Sequence, residues 1–121
     1  MIAVCVTEKK TGEFVSCSAS GHAEFAVKGC DIVCAAVTIL MRTTMNVLSE
    51  NNLLAEKNAN QRGELFFRAK ANANKVTNDF EKNCETNILQ FAKIFLVNGI
   101  TSLTKEFPKN VSLEIVSEKN S

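Results

Sequence analysis

The sequence predicts an α+β fold: a mostly antiparallel five-stranded sheet packed with two long helices. Three observations carry this. Short β-branched or alternating segments recur five times, and two longer stretches have broad apolar faces at helical spacing. Their order is β-β-α-β-β-α-β, a β-β-α unit repeated in pattern though not visibly in sequence. Strand order within the sheet stays open. The 121 residues are read as a single domain, residues 1–121, long enough to bury roughly two-thirds of the unfolded surface.

Residues 2–7 are rich in β-branched side chains and read as the first strand. Glu8 to Gly12 is turn-like, and Glu13 to Ser20 alternates, with Phe14, Ser16, Ser18 and Ser20 on one face and Val15, Cys17 and Ala19 on the other. A connection follows, bracketed by Gly21 and Gly29, which are possible hinges of a mobile loop. Asp31 is a good N-cap for a helix running to about Ser49, which places Cys34 at the third helical position. The main stripe of that helix is Val33, Ala36, Val37, Leu40, Thr44, Val47 and Leu48. A second stripe is Cys34, Met41 and Met45, and only the line through Ala35, Arg42 and Ser49 looks free for water. Such a helix must be covered on more than one side, by the sheet and by another helix or a second subunit.

Asn51-Asn52 ends the helix. Residues 53–56 and 64–71 read as a second hairpin turning around Asn60 to Gly63. Residues 72–83 are polar and Asn-rich, a loop or frayed helix start. Thr86 can cap a second helix over 87–106, stopped at Phe107-Pro108 because proline disfavours helix in the residue before it. Val111 to Val116 alternates as the last strand.

Composition narrows the function. With 45% hydrophobic and 22% charged residues the chain is ordinary for a soluble protein. A net charge of +1 with dispersed Lys and Arg gives no basic footprint, so no direct nucleic-acid partner is expected. The longest uninterrupted apolar run, Ile32 to Met41, falls short of the ~20 residues of a membrane span, and Met1 to Val6 does not read as a leader. The expected location is cytoplasmic. Five cysteines without regular spacing fit reduced thiols better than a disulfide framework. Cys5, Cys17 and Cys84 fall in strand or helix patterns and read as core or half-buried thiols.

Chemistry concentrates between Gly21 and Val37. The chain's one histidine, His22, is followed twelve positions later by Cys34 in what reads as the first turn of a helix. There the macrodipole favours a thiolate, and the first-turn N–H groups are free to hold an oxyanion. His22 is the only side chain whose ordinary titration range suits a general base near neutrality. Asp31 has two roles open to it, as N-cap or as a group orienting the imidazole. His22, Cys30 and Cys34 lack an evident fourth ligand and the paired spacing of a zinc site, so no metal or other cofactor is expected. Locally, a buried cysteine plus a loop histidine explains the same residues.

Gly21-His22-Ala23, followed by Gly29-Cys30-Asp31-Ile32-Val33-Cys34-Ala35-Ala36-Val37, closely resembles the signature of the Prp family, the ribosomal-processing cysteine proteases (YsxB-like). The similarity extends to the length, the N-terminal hairpin and the Phe107-Pro108 ending of the last helix. The resemblance implies a cysteine endopeptidase that removes an N-terminal extension from large-subunit ribosomal protein twenty-seven, cutting after paired phenylalanines. It maps the catalytic cysteine and histidine onto Cys34 and His22 and the motif aspartate onto Asp31. It further implies a homodimer and a His-to-Cys loop that moves when substrate binds. In the expected reaction His22 takes the Cys34 proton, the thiolate attacks the scissile carbonyl, N–H groups at the helix start (that of Cys34 among them) hold the oxyanion, and water resolves the acyl-enzyme. Two competitors stand beside this reading: a non-catalytic ribosome-assembly module of the same fold, and a redox sensor using Cys30 and Cys34.

Overall fold

β1 (Ile2–Glu8) and β2 (Phe14–Ser20) open the chain and lead into α1 (Lys28–Glu50). β3 (Leu54–Asn58), β4 (Glu64–Ala69), α2 (Asp79–Glu106) and β5 (Val111–Ser117) follow, the element order the sequence predicts. The structure, a computed structural model, describes residues 1–21, 28–58, 64–70 and 79–118. His22, the turn around 60–63 and the first part of the Asn-rich segment therefore lie outside the described residues.

The strands form one sheet in the order β3-β4-β2-β1-β5. Every neighbouring pair is antiparallel except β1 and β5, which run parallel from Ile2↔Val111 to Glu8↔Ser117. β1 is thus an interior strand, and its alternation places Ile2, Val4 and Val6 in the core. Cys17 and Ala19 of β2, Phe67 and Ala69 of β4 and Val111 of β5 continue that face. Onto it pack Val33, Val37, Met41, Met45 and Leu48 of α1 and Leu89, Ala92, Leu96 and Ile100 of α2, making one contiguous cluster. Each fully buried aliphatic side chain among these contributes about 1.5–3 kcal/mol from area removed from water.

Strict alternation fails in β2. Thr7 pairs with Ser16 but Glu8 pairs with Phe14, so Val15 is an extra residue in a bulge. The bulge brings Phe14 to the core, where its ring meets that of Phe67 edge-on at 5.7 Å. The expectation that Phe14 shares a face with the serines of β2 is corrected on that account.

α1 starts at Lys28, not at Asp31. Gly29 therefore lies in its first turn rather than in the connection. Asp31 is a helical residue rather than the N-cap. At the other end, Asn52 adopts φ 58°, and its N–H bonds Ser49 O at 3.2 Å while the Leu53 N–H reaches back to Leu48 O at 2.7 Å. This is a Schellman closure, sealed by two buried leucines, Leu48 and Leu53.

The core stripe of α1 is rotated from the expected one. Met41 and Met45 are buried with Val33, Val37, Thr44 and Leu48, whereas Val47 is exposed and Ala36 and Leu40 are half-buried. Ala35, Arg42 and Ser49 face water as expected, but so do Ile32 and Ile39. The run Ile32 to Met41 also understates the helix. Ile32–Glu50 is long and apolar enough to cross a membrane by length and composition, with mean hydropathy 1.6, although a third of it is buried in the fold.

α2 begins eight residues before the expected start at 87, so Thr86 is an interior helical position and not a cap. Gly99 lies where α2 meets α1. A Cβ there would press on the Leu40 side chain at 2.7 Å, so the small residue lets the two helices approach. Lys93 ties α2 to the first hairpin. Its ammonium pairs with the Glu8 carboxylate and donates to Gly12 O at 2.6 Å.

Candidate active site

Cys34 is the seventh residue of α1, counted from Lys28. It is a free, half-buried thiol whose side chain packs against the edge of the core cluster. The earlier helix start changes its electrostatics. Helical bonding directs the Cys34 N–H to the carbonyl four residues back, and the macrodipole's influence fades beyond the first turn. The expectation that Cys34 occupies the third helical position and donates its own N–H to an oxyanion is corrected.

Gly21 closes β2 and is the last described residue before His22. Its φ is 106°, and a Cβ built on it would overlap the carbonyl oxygen of Met1. Only glycine fits there. A glycine directly after a strand is the sequence signal of this left-handed position.

Among the other described cysteines, Cys17 and Cys84 differ from Cys34 in burial, in opposite directions. Cys17 is wholly buried, with its Sγ 3.4 Å from Met41 Sδ. Burial pushes its thiol from the ordinary 9.0 up to about 12, with a smaller push from Cys5. Cys5 is half-buried. Cys84 is exposed on the first turns of α2, which corrects the reading of it as a core or half-buried thiol; it precedes the point at which α2 reaches the core.

An apolar groove also lies between the helices, one that periodicity alone did not reveal. Its volume is about 330 Å³ and its walls include Val47, Ile88, Phe91 and Phe95. It starts at Thr43, nine residues beyond Cys34 and roughly 14 Å along α1, so it is separate from the thiol.

A small α+β fold that carries a half-buried, free thiol in its first helix is compatible with a cysteine protease. The chain belongs to the cysteine protease Prp family, whose model matches residues 1–112. That match spans both His22 and Cys34. The Streptococcus mutans protein SMU.848 shares the fold at a TM-score of 0.71 and 28% identity, over 98% of this chain and 96% of that one. The essential ribosomal processing protease Prp from S. aureus, solved in complex with a substrate peptide, aligns at a TM-score of 0.66 and 22% identity over 95% of this chain and 99% of its own. The same S. aureus protease with a covalently linked product peptide aligns at 0.66 and 24% over the same shares. No curated protein matches the chain.

Proposed function

We propose that this cysteine protease trims the N-terminal extension of large-subunit ribosomal protein twenty-seven, cutting after paired phenylalanines, with Cys34 as nucleophile and His22 as general base and then general acid. The observation that carries the reading is the family match across residues 1–112, a span that contains the half-buried, free Cys34 thiol. In this reaction His22 removes the Cys34 proton and the thiolate adds to the scissile carbonyl carbon. The C–N bond breaks as His22 returns the proton to the leaving amine. Water, deprotonated by His22, then cleaves the thioester and releases the thiol. Asp31 serves by orienting the imidazole rather than as a cap. The chemistry uses no cofactor.

Processing takes place in the cytoplasm, where ribosomes mature, and with a net charge of +1 the enzyme contacts the protein substrate without binding nucleic acid directly. It acts as a homodimer through its helical face. Ile39, Val47, Phe91, Ile94 and Phe95 are exposed on α1 and α2, three of them lining the apolar groove, and large apolar side chains grouped at a surface favour association with a partner.

The test is a peptide spanning the extension. Wild-type protein cleaves it after the paired phenylalanines, and Cys34→Ala and His22→Ala each lose at least about 1,000-fold in kcat/KM. Tight binding without cleavage would instead make the chain a non-catalytic module. For the dimer, sedimentation at micromolar concentration gives twice the chain mass, and Phe91→Asp reduces it to the monomer.

A further inference from the structure

We infer that the free edge of β5 is a docking site for an extended polypeptide, added as an antiparallel strand, in which a cationic residue between two apolar ones meets Glu114. This goes beyond the peptidase reading and does not depend on it. β5 ends the sheet beneath α2, whereas α1 packs over β3 and β4, so the edge lies away from the helix that carries Cys34.

The register shows which groups the edge offers. Ile2 N–H donates to Asn110 O at 2.8 Å and Glu118 N–H to Glu8 O at 2.7 Å, at the two ends of the parallel pair. In a parallel ladder such bonds come from alternate residues, so the even positions 110–118 turn their backbone groups to β1. Leu113, Ile115 and Ser117 turn theirs outward, and no described strand pairs with them. Leu113 and Ile115 stand beside Val4 and Val6 on the core face, yet Ile115 remains 46% exposed. Glu114 takes the opposite face, exposed and without an ion pair among the described residues.

The sheet's other edge is blunted. β3 has five residues, a register slip between Leu54 and Glu56, and two charges, Glu56 and Lys57. β5 pairs over seven residues without irregularity and holds one charge. A long, regular edge of this kind is a template for another strand. Charge selects the occupant. Antiparallel addition sets one incoming residue opposite Glu114 and its neighbours beside Leu113 and Ile115, so lysine or arginine flanked by apolar residues fits. A second copy of β5 supplies no cation. Pairing outward groups with outward groups about a two-fold axis sets Glu114 opposite Ser112, Glu114 or Val116 of the other copy.

The probe is a fluorescein-labelled peptide, Val-Lys-Val-Lys-Val-Lys-Val, read by anisotropy against the full chain. The expected result is saturable binding, about fivefold weaker when glutamate replaces lysine in the peptide. Glu114→Lys inverts that preference and keeps wild-type thermal unfolding, since the side chain is exposed. N-methylation of the peptide's valines, whose N–H groups face the edge, abolishes binding, whereas charge attraction alone would survive it. Equal affinity for the two charge forms, binding that survives N-methylation, or no binding at millimolar concentration overturns the inference. In the last case, a sedimenting mass halved by Ile115→Lys identifies the edge as an interface between copies instead.

Discussion

Cys17 and Cys34 touch the same core from opposite sides, and α1 treats them differently. Met41 stands seven residues after Cys34, two helical turns along the same line of α1, and its sulfur lies over Cys17. One helix stripe thus seals the β2 thiol while leaving its own thiol half open. The sealed thiol is protonated throughout the physiological range, since burial raises it to about 12. A nucleophile needs a route for substrate and a base, so depth within one cluster, rather than residue type, separates a packing cysteine from a reactive one.

The largest test of this contrast exchanges the two positions' fates. Cys34→Ala abolishes peptide cleavage, at least about 10⁴-fold in kcat, with little change in melting temperature. Cys17→Ala keeps cleavage within a factor of two and is less stable by about 1–2 kcal/mol in urea titrations, since it removes a buried atom. Cleavage that survives Cys34→Ala and vanishes in Cys17→Ala would reverse the assignment.

Alkali gives the next largest effect. The folded protein holds the Cys17 proton more tightly than the unfolded chain does, so stability is intact below pH 9 and falls as pH rises towards 12. Between pH 9 and pH 11 the loss amounts to about 2 kcal/mol. Urea midpoints measured across this range should decline in wild type and be flatter in Cys17→Ala. The smallest effect belongs to Met41→Leu, which conserves volume over the sealed thiol and costs less than about 1.5 kcal/mol with cleavage unchanged. Greater loss would show that the sulfur–sulfur contact contributes more than packing.

Much of this arrangement was legible in the sequence because its signals are local. β-Branched residues over 2–7 and alternation over Val111 to Val116 marked the strands, and Asn51-Asn52 marked the end of α1. What was misread depended on partners distant in the chain. The parallel pairing of β1 with β5 has no local signature. The Val15 bulge reveals itself only against Thr7 and Glu8 of the neighbouring strand. α2 was started too late because Phe80 is 76% exposed, so its first turns bury no apolar stripe for periodicity to detect. α1 was started too late because Gly29 reads as a breaker, and helix propagation carries through it. At the site, the Cys34 spacing was plain from the sequence. Its depth in the helix was not, and the oxyanion role assigned to its N–H was lost with the shifted start.

The parallel β1–β5 pair has a consequence for when this molecule comes into being. On the ribosome the N-terminal strand emerges first, yet its second neighbour is made last, more than a hundred residues later by the Ile2↔Val111 register. Until then β1 is a bare edge of the hairpin, and the carbonyl that wedges Gly21 has no clamp from Asn110. Closure of so non-local a contact is a late step in folding. A nascent chain therefore carries Cys34 and the whole of α1 long before the sheet beneath them is complete, and the protease fold closes only once its last strand has been made.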